Sequence, residues 1–199
     1  STSHTLTISQ MRGGYTLEIY RDITVPYSLA LHFSEIQFYG DDNQIIDTSY
    51  FTPSVENGGT NHSRYNPLEN IMDGNLTSMY HGPEGSLSSK IKITIDALDA
   101  GMPDIKFIKL YNRWDVNHYA RLQNTYLKLS GDGVDYRIAG IETNGQQTAW
   151  FSEYIISGNE KNFNPYDAES ANEAFMQFNV VREDPAVIVM DTTAPVITL

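Results

Sequence analysis

The segment Asn70-Ile71-Met72-Asp73-Gly74-Asn75-Leu76-Thr77-Ser78-Met79-Tyr80-His81-Gly82 gathers a carboxylate, asparagine amides, hydroxyls and two glycines in one short turn-forming stretch. Those residue types suit a hard cation. Ca²⁺ takes roughly six to eight oxygens, many of them backbone carbonyls bent inward by a tight turn. Gly74 supplies backbone freedom where the chain must bend. On composition alone an ordinary Asp-Gly turn remains the competing reading. Asp132-Gly133-Val134-Asp135 also carries paired acids, but it lacks the spacing and closing Glu of an EF-hand and reads as a hairpin turn.

A second group lies in Arg113-Trp114-Asp115, followed by His118 and Arg121. Guanidinium forks donate in fixed geometry to hydroxyl and carboxylate oxygens. The same residues could instead form a salt bridge that shapes a loop. Trp114 and Trp150 read as packing residues before sugar platforms, and His4, His32 and His62 as packed or solvent-facing. No nucleophile elbow, phosphate-cradling glycine loop or His-Glu-x-x-His pattern occurs, so the chain reads as non-catalytic.

These residues must be positioned by strands. Tyr15–Tyr20, Leu29–Tyr39, Ile91–Ile95, Ile105–Tyr111, Thr125–Leu129, Tyr136–Ile138 and Phe175–Val181 are rich in β-formers, and most alternate apolar with polar. Asp41-Asp42-Asn43 and Ser130-Gly131-Asp132-Gly133 mark turns. Residues 47–69, with Pro53, Gly58, Gly59 and Pro67, read as loop. Asp167–Phe175 is the one stretch with helical character, with Asp167 as N-cap. Many short strands between turns predict an all-β sandwich or jelly roll.

Composition narrows the partners. The chain has 199 residues, thirteen of them tyrosine, a formal charge of −12 and no cysteine. That length suits one β domain over residues 1–190. The negative charge opposes nucleic acid and anionic membranes, and is compatible with cations and neutral sugars. Disulfides and thiolate metal sites are excluded. No apolar run approaches the roughly eighteen residues of a spanning helix, so membrane insertion is not expected. Asn61-His62-Ser63 and Asn75-Leu76-Thr77 are N-glycosylation triplets. Residues 191–199 read as a Thr/Pro linker into an immunoglobulin-like domain, which would make the chain one module of a longer surface protein.

Three stretches together resemble a known family. Asn70-Ile-Met-Asp73-Gly-Asn75 with Tyr80-His81-Gly82 is similar to the calcium loop of F-type lectins (fucolectins), members of the discoidin and coagulation-factor V/VIII C-domain group. Arg113-Trp114-Asp115 with Arg121 resembles that family's sugar motif, although the arginines stand eight apart rather than seven and Val116-Asn117 replace a cysteine pair. The family's sugar histidine has no counterpart near Ser86, and His118 stands closest to its role; His81 reads as structural. Tyr27–Gly40, with Glu35 ahead of Ile36-Gln37-Phe38-Tyr39-Gly40, resembles the family's closing strand. That strand normally comes last, so residues 1–40 imply a circular permutation.

The resemblance spans residues 15 to 155 and implies a galactose-binding-like jelly roll. It implies Ca²⁺ held by the Asn70 and Asn75 carbonyls, the Asp73 and Glu35 carboxylates, the Ser34 carbonyl and Ser78. It further implies a glycan site formed by Arg113, Asp115, Arg121, His118 and Trp114. Cell-surface glycans or polysaccharides are the expected partners, at an extracellular or cell or virion surface, together with other domains of the parent chain. A structural or protein-adhesion module of the same fold, with a purely stabilising ion, is the alternative.

Overall fold

A computed structural model describes residues 15–21, 31–56, 66–82, 90–96, 101–113, 122, 125–131, 137–141, 147–150, 156–158 and 175–180. Twelve strands account for most of them: β1 (Tyr15–Arg21), β2 (His32–Phe33), β3 (Glu35–Tyr39), β4 (Phe51–Glu56), β5 (Tyr80–His81), β6 (Lys90–Ile95), β7 (Phe107–Tyr111), β8 (Thr125–Gly131), β9 (Arg137–Ile141), β10 (Gln147–Trp150), β11 (Ile156–Gly158) and β12 (Phe175–Val180). The helical elements among the described residues are single 3-10 turns, Thr48–Tyr50 and Leu68–Met72. The protein is all-β in its described parts.

A six-stranded sheet runs β10-β9-β8-β1-β6-β4, a four-stranded sheet runs β11-β12-β7-β3, and β2 pairs with β5 as a short ribbon. Every pairing among these strands is antiparallel. Alternation decides which side faces inward. Leu17 and Ile19 of β1, Ile91, Ile93 and Ile95 of β6, and Leu127 and Leu129 of β8 point into the core, while Glu18, Lys90, Lys92 and Lys128 face out. From the four-stranded sheet come Ile36, Phe38, Ile108, Leu110 and Phe178, all in the same apolar cluster. Phe38 and Phe51 stack across the two sheets at 4.0 Å between ring centroids. Each fully buried Ile or Phe here contributes roughly 1.5–3 kcal/mol of apolar burial.

Several expectations need correction. Residues 51–56, expected as loop, form β4. This strand is an edge, and Pro53, which cannot donate to a ladder, is tolerated there because one side of an edge strand needs no partner. Leu68–Met72, inside the same expected loop, is a 3-10 turn. The long run 29–39 is broken at Ser34, whose N–H donates to the Tyr111 carbonyl at 2.9 Å, so that β2 pairs with β5 and β3 with β7. Ser130 and Gly131 continue β8 rather than turning. Phe175 opens β12 instead of closing a helix; the remainder of that predicted helix, 167–174, lies outside the described residues. The same holds for residues 1–14, 22–30 and 191–199. Among the described residues no helix is long and apolar enough to cross a membrane.

Candidate metal and ligand site

The 66–82 segment packs against the end of β3. The 3-10 turn Leu68–Met72 anchors it, with Ile71 wholly buried. Asn70 fastens the return of the chain, its side-chain amide donating to the Met79 carbonyl at 2.9 Å. Asp73 Oδ1 accepts from the Asn75 N–H at 2.8 Å, and Asn75 Oδ1 accepts from the Thr77 N–H at 3.0 Å, two successive Asx-type turns. Between them Gly74 takes φ +75°, where a side chain is disfavoured although there is open space for one.

This coiling aims oxygens at one point. The Ser78 hydroxyl lies 2.8 Å from the Asn75 carbonyl, 3.0 and 2.9 Å from the two Asp73 carboxylate oxygens, and 3.4 Å from the Asn70 carbonyl. A hydroxyl carries one proton and can satisfy one acceptor at a time. Asp73 Oδ1 also accepts the Asn75 N–H, and the Asn75 carbonyl the Ser78 N–H at 3.1 Å, yet more acceptor lone pairs gather here than these donors fill, a surplus that a cation would compensate.

Glu35 reaches the loop from the other side. Its Oε1 accepts from the Gly74 N–H at 3.2 Å, bridging 39 positions of sequence. The residue is 2 % exposed, and Oε2 is buried with no hydrogen-bond partner of ordinary geometry. Burial pushes its carboxyl up to about 8, and the neighbouring Asp73 charge adds to the rise; the Gly74 and Asp73 N–H groups oppose it. A buried carboxyl beside a second carboxylate is expensive to ionise without a positive charge close by. Ser34 is fully buried, and its hydroxyl too has no partner.

Five of the six predicted metal residues therefore meet: Glu35, Asn70, Asp73, Asn75 and Ser78. Ser34 adjoins Glu35 in the chain, at the bend between β2 and β3. The donor set is carbonyl, carboxylate and hydroxyl oxygen, which fits Ca²⁺. Among the described residues no group of three or more His, Cys, Asp or Glu side chains gathers that could hold a metal ion, so an ion here would depend on carbonyl and hydroxyl oxygens besides the two carboxylates.

Of the predicted ligand residues only Arg113 is described; Trp114, Asp115, His118 and Arg121 lie outside the described residues. Arg113 is 7 % exposed at the end of β7, its N–H held by the Asn112 side-chain oxygen at 2.8 Å. Its Nη1 donates to His32 Nδ1 at 3.0 Å. Arginine always donates, so His32 accepts at Nδ1 and, as the neutral imidazole, carries its proton on Nε2. The His32 ring packs on that of His81, with centroids 3.5 Å apart, and His81 Nδ1 lies 2.8 Å from the Gly82 carbonyl. His32 and His81 are opposite one another on the β2–β5 ribbon. The sequence alone does not join these three residues. No local spacing links them, and only the ribbon pairing of 32 with 81 would have done so.

No protein-family model, curated protein or solved structure matches this chain. The functional reading therefore rests on the residues themselves.

Proposed function

We propose that this chain is a calcium-stabilised carbohydrate-binding module of a larger extracellular surface or adhesion protein, with a galactose-binding-like jelly roll similar to that of F-type lectins and discoidin domains. The observation that carries the calcium part is the convergence of the Asn70, Asp73 and Asn75 oxygens on Ser78, beside a buried Glu35 oxygen with no hydrogen-bond partner. Asp73 and Glu35 supply two negative charges to balance the ion. Bound calcium stabilises the native state alone, because the two carboxylates adjoin only when β3 and the loop are folded together. The glycan part assigns the guanidinium donors of Arg113 and Arg121, with Asp115 and His118, to sugar hydroxyls, and Trp114 to the sugar's apolar face. No covalent chemistry is assigned to these residues.

One observation favours the alternative, a structural or protein-adhesion module with a stabilising ion. Arg113 is buried and already bonded to His32, which suits a loop brace as well as a sugar contact.

Melting in calcium and in excess chelator tests the first part. At Ca²⁺ about a hundredfold above Kd, stabilisation of roughly 2.7 kcal/mol raises the midpoint by roughly 5–10 °C. Asp73→Ala abolishes that rise. Equal midpoints in both buffers for the parent chain would remove the ion from the proposal. A glycan array then separates the two readings: binding that Arg113→Ala or Arg121→Ala abolishes supports the lectin, and a blank array from a folded, calcium-responsive chain supports the alternative.

A further inference from the structure

The cation reading uses the backbone carbonyl of Asn75 and leaves its side chain to another task. Asn75 opens the triplet Asn75-Leu76-Thr77, in which a residue other than proline separates an asparagine from a threonine. We propose that Asn75 is an acceptor for an N-linked oligosaccharide, presented at the rim of the oxygen cluster.

The geometry is that of an accessible acceptor. Asn75 and Thr77 are both exposed, while Leu76 between them is half-buried. The Thr77 hydroxyl donates to Asn75 Oδ1 at 2.8 Å, and the Thr77 N–H donates to the same oxygen at 3.0 Å. Both contacts engage the amide oxygen, and no described hydrogen bond uses Nδ2. The nitrogen that would carry a sugar is therefore not committed to holding the loop. The Asn75 carbonyl, 2.8 Å from the Ser78 hydroxyl, is the atom that joins the oxygen cluster. Main chain and side chain thus serve different ends of the same residue, and a glycan on one leaves the other in place.

In the transfer, Asn75 Nδ2 forms a bond to the anomeric carbon of an oligosaccharide carried on a lipid diphosphate. The carbon–oxygen bond to the phosphate breaks, the lipid diphosphate leaves with the electron pair, and one amide proton passes to a base of the transferase. The product adds a bulky, solvated group to a surface loop. This inference rests on the extracellular part of the reading above and not on its lectin part, since it concerns what the chain accepts and not what it binds.

The chain is secreted from a eukaryotic host as the Asn61→Gln variant, which removes the other triplet, and its intact mass is measured before and after peptide-N-glycosidase. A glycan lost on enzyme treatment is expected, with residue 75 left as aspartate in the peptide map. Thr77→Ala abolishes it and Thr77→Ser retains it, so that loss of glycan is read against a variant that keeps the hydroxyl. The glycosylated chain keeps the melting midpoint of the deglycosylated one. Secreted, folded Asn61→Gln protein with unmodified Asn75, or a glycan that persists in Thr77→Ala, overturns the proposal.

Discussion

Glu35 is the residue on which the most chemistry turns. Its carboxyl is buried, adjoins Asp73, and is pushed up to about 8 in the absence of a compensating charge. Glu35→Gln keeps the shape and the acceptor for the Gly74 N–H while removing the charge. In chelator at pH 8.5 this variant is expected to melt at or above the parent, because an uncompensated buried charge has been deleted. In saturating calcium it falls below the parent, because the ion has lost a ligand of opposite sign. The crossover, read by thermal melts in the two buffers, distinguishes a metal ligand from a residue that only packs; a variant destabilised equally in both would mark Glu35 as structural. Glu35 was legible in the sequence only by resemblance. Nothing local marks it, since its partner Gly74 lies 39 positions away. Asp73 and Asn75, by contrast, announce themselves through their own turn chemistry.

At the scale of elements, β4 shows how a strand can hide. Its segment Phe51-Thr52-Pro53-Ser54-Val55-Glu56 pairs residue for residue with β6, yet a proline sits in its middle. On an edge that proline is protective, because it withholds a donor from any further strand. Pro53→Val is accordingly expected to increase self-association at high concentration, seen by sedimentation velocity, with little change in monomer stability. Unchanged sedimentation would show that other residues guard this edge. Strands β1, β6 and β8 were readable because one buried face imposes a two-residue period, and β7, buried on both faces, was readable from its β-forming residues. The ribbon β2–β5 was not: two residues per strand are too few for a period, and its stability comes from tertiary contact, including the His32–His81 pair. The break at Ser34 was equally invisible, since an apolar run looks continuous whether it joins one sheet or two.

For the whole molecule, the buried carboxyl ties stability to pH. Glu35 has an ordinary value of 4.5 and a folded value of about 8 without metal. The folded chain therefore holds more protons than the unfolded chain between those values. Stability in chelator is complete below about pH 4.5 as far as this group is concerned, and falls as pH rises through 8. Calcium bound at the proposed site would reverse the preference by favouring the carboxylate, so that the fall flattens or inverts in its presence. Melting midpoints from pH 5 to 9 with and without calcium test this; parallel curves would disconnect Glu35 from the ion. The other acids dominate the net charge of −12, and their mutual repulsion gives a cation an additional, salt-screened advantage.

The bridge between Glu35 and the loop also has a mechanical meaning. Residues 35 to 73 form a closed loop whenever one ion holds both carboxylates. Those 38 steps, fully extended, amount to about 130 Å of chain. A module pulled from its ends would keep that length in reserve while the ion stays bound and release it when the ion leaves. In a surface protein that bears load, calcium concentration would then set the force at which the module lengthens, independently of what the module binds.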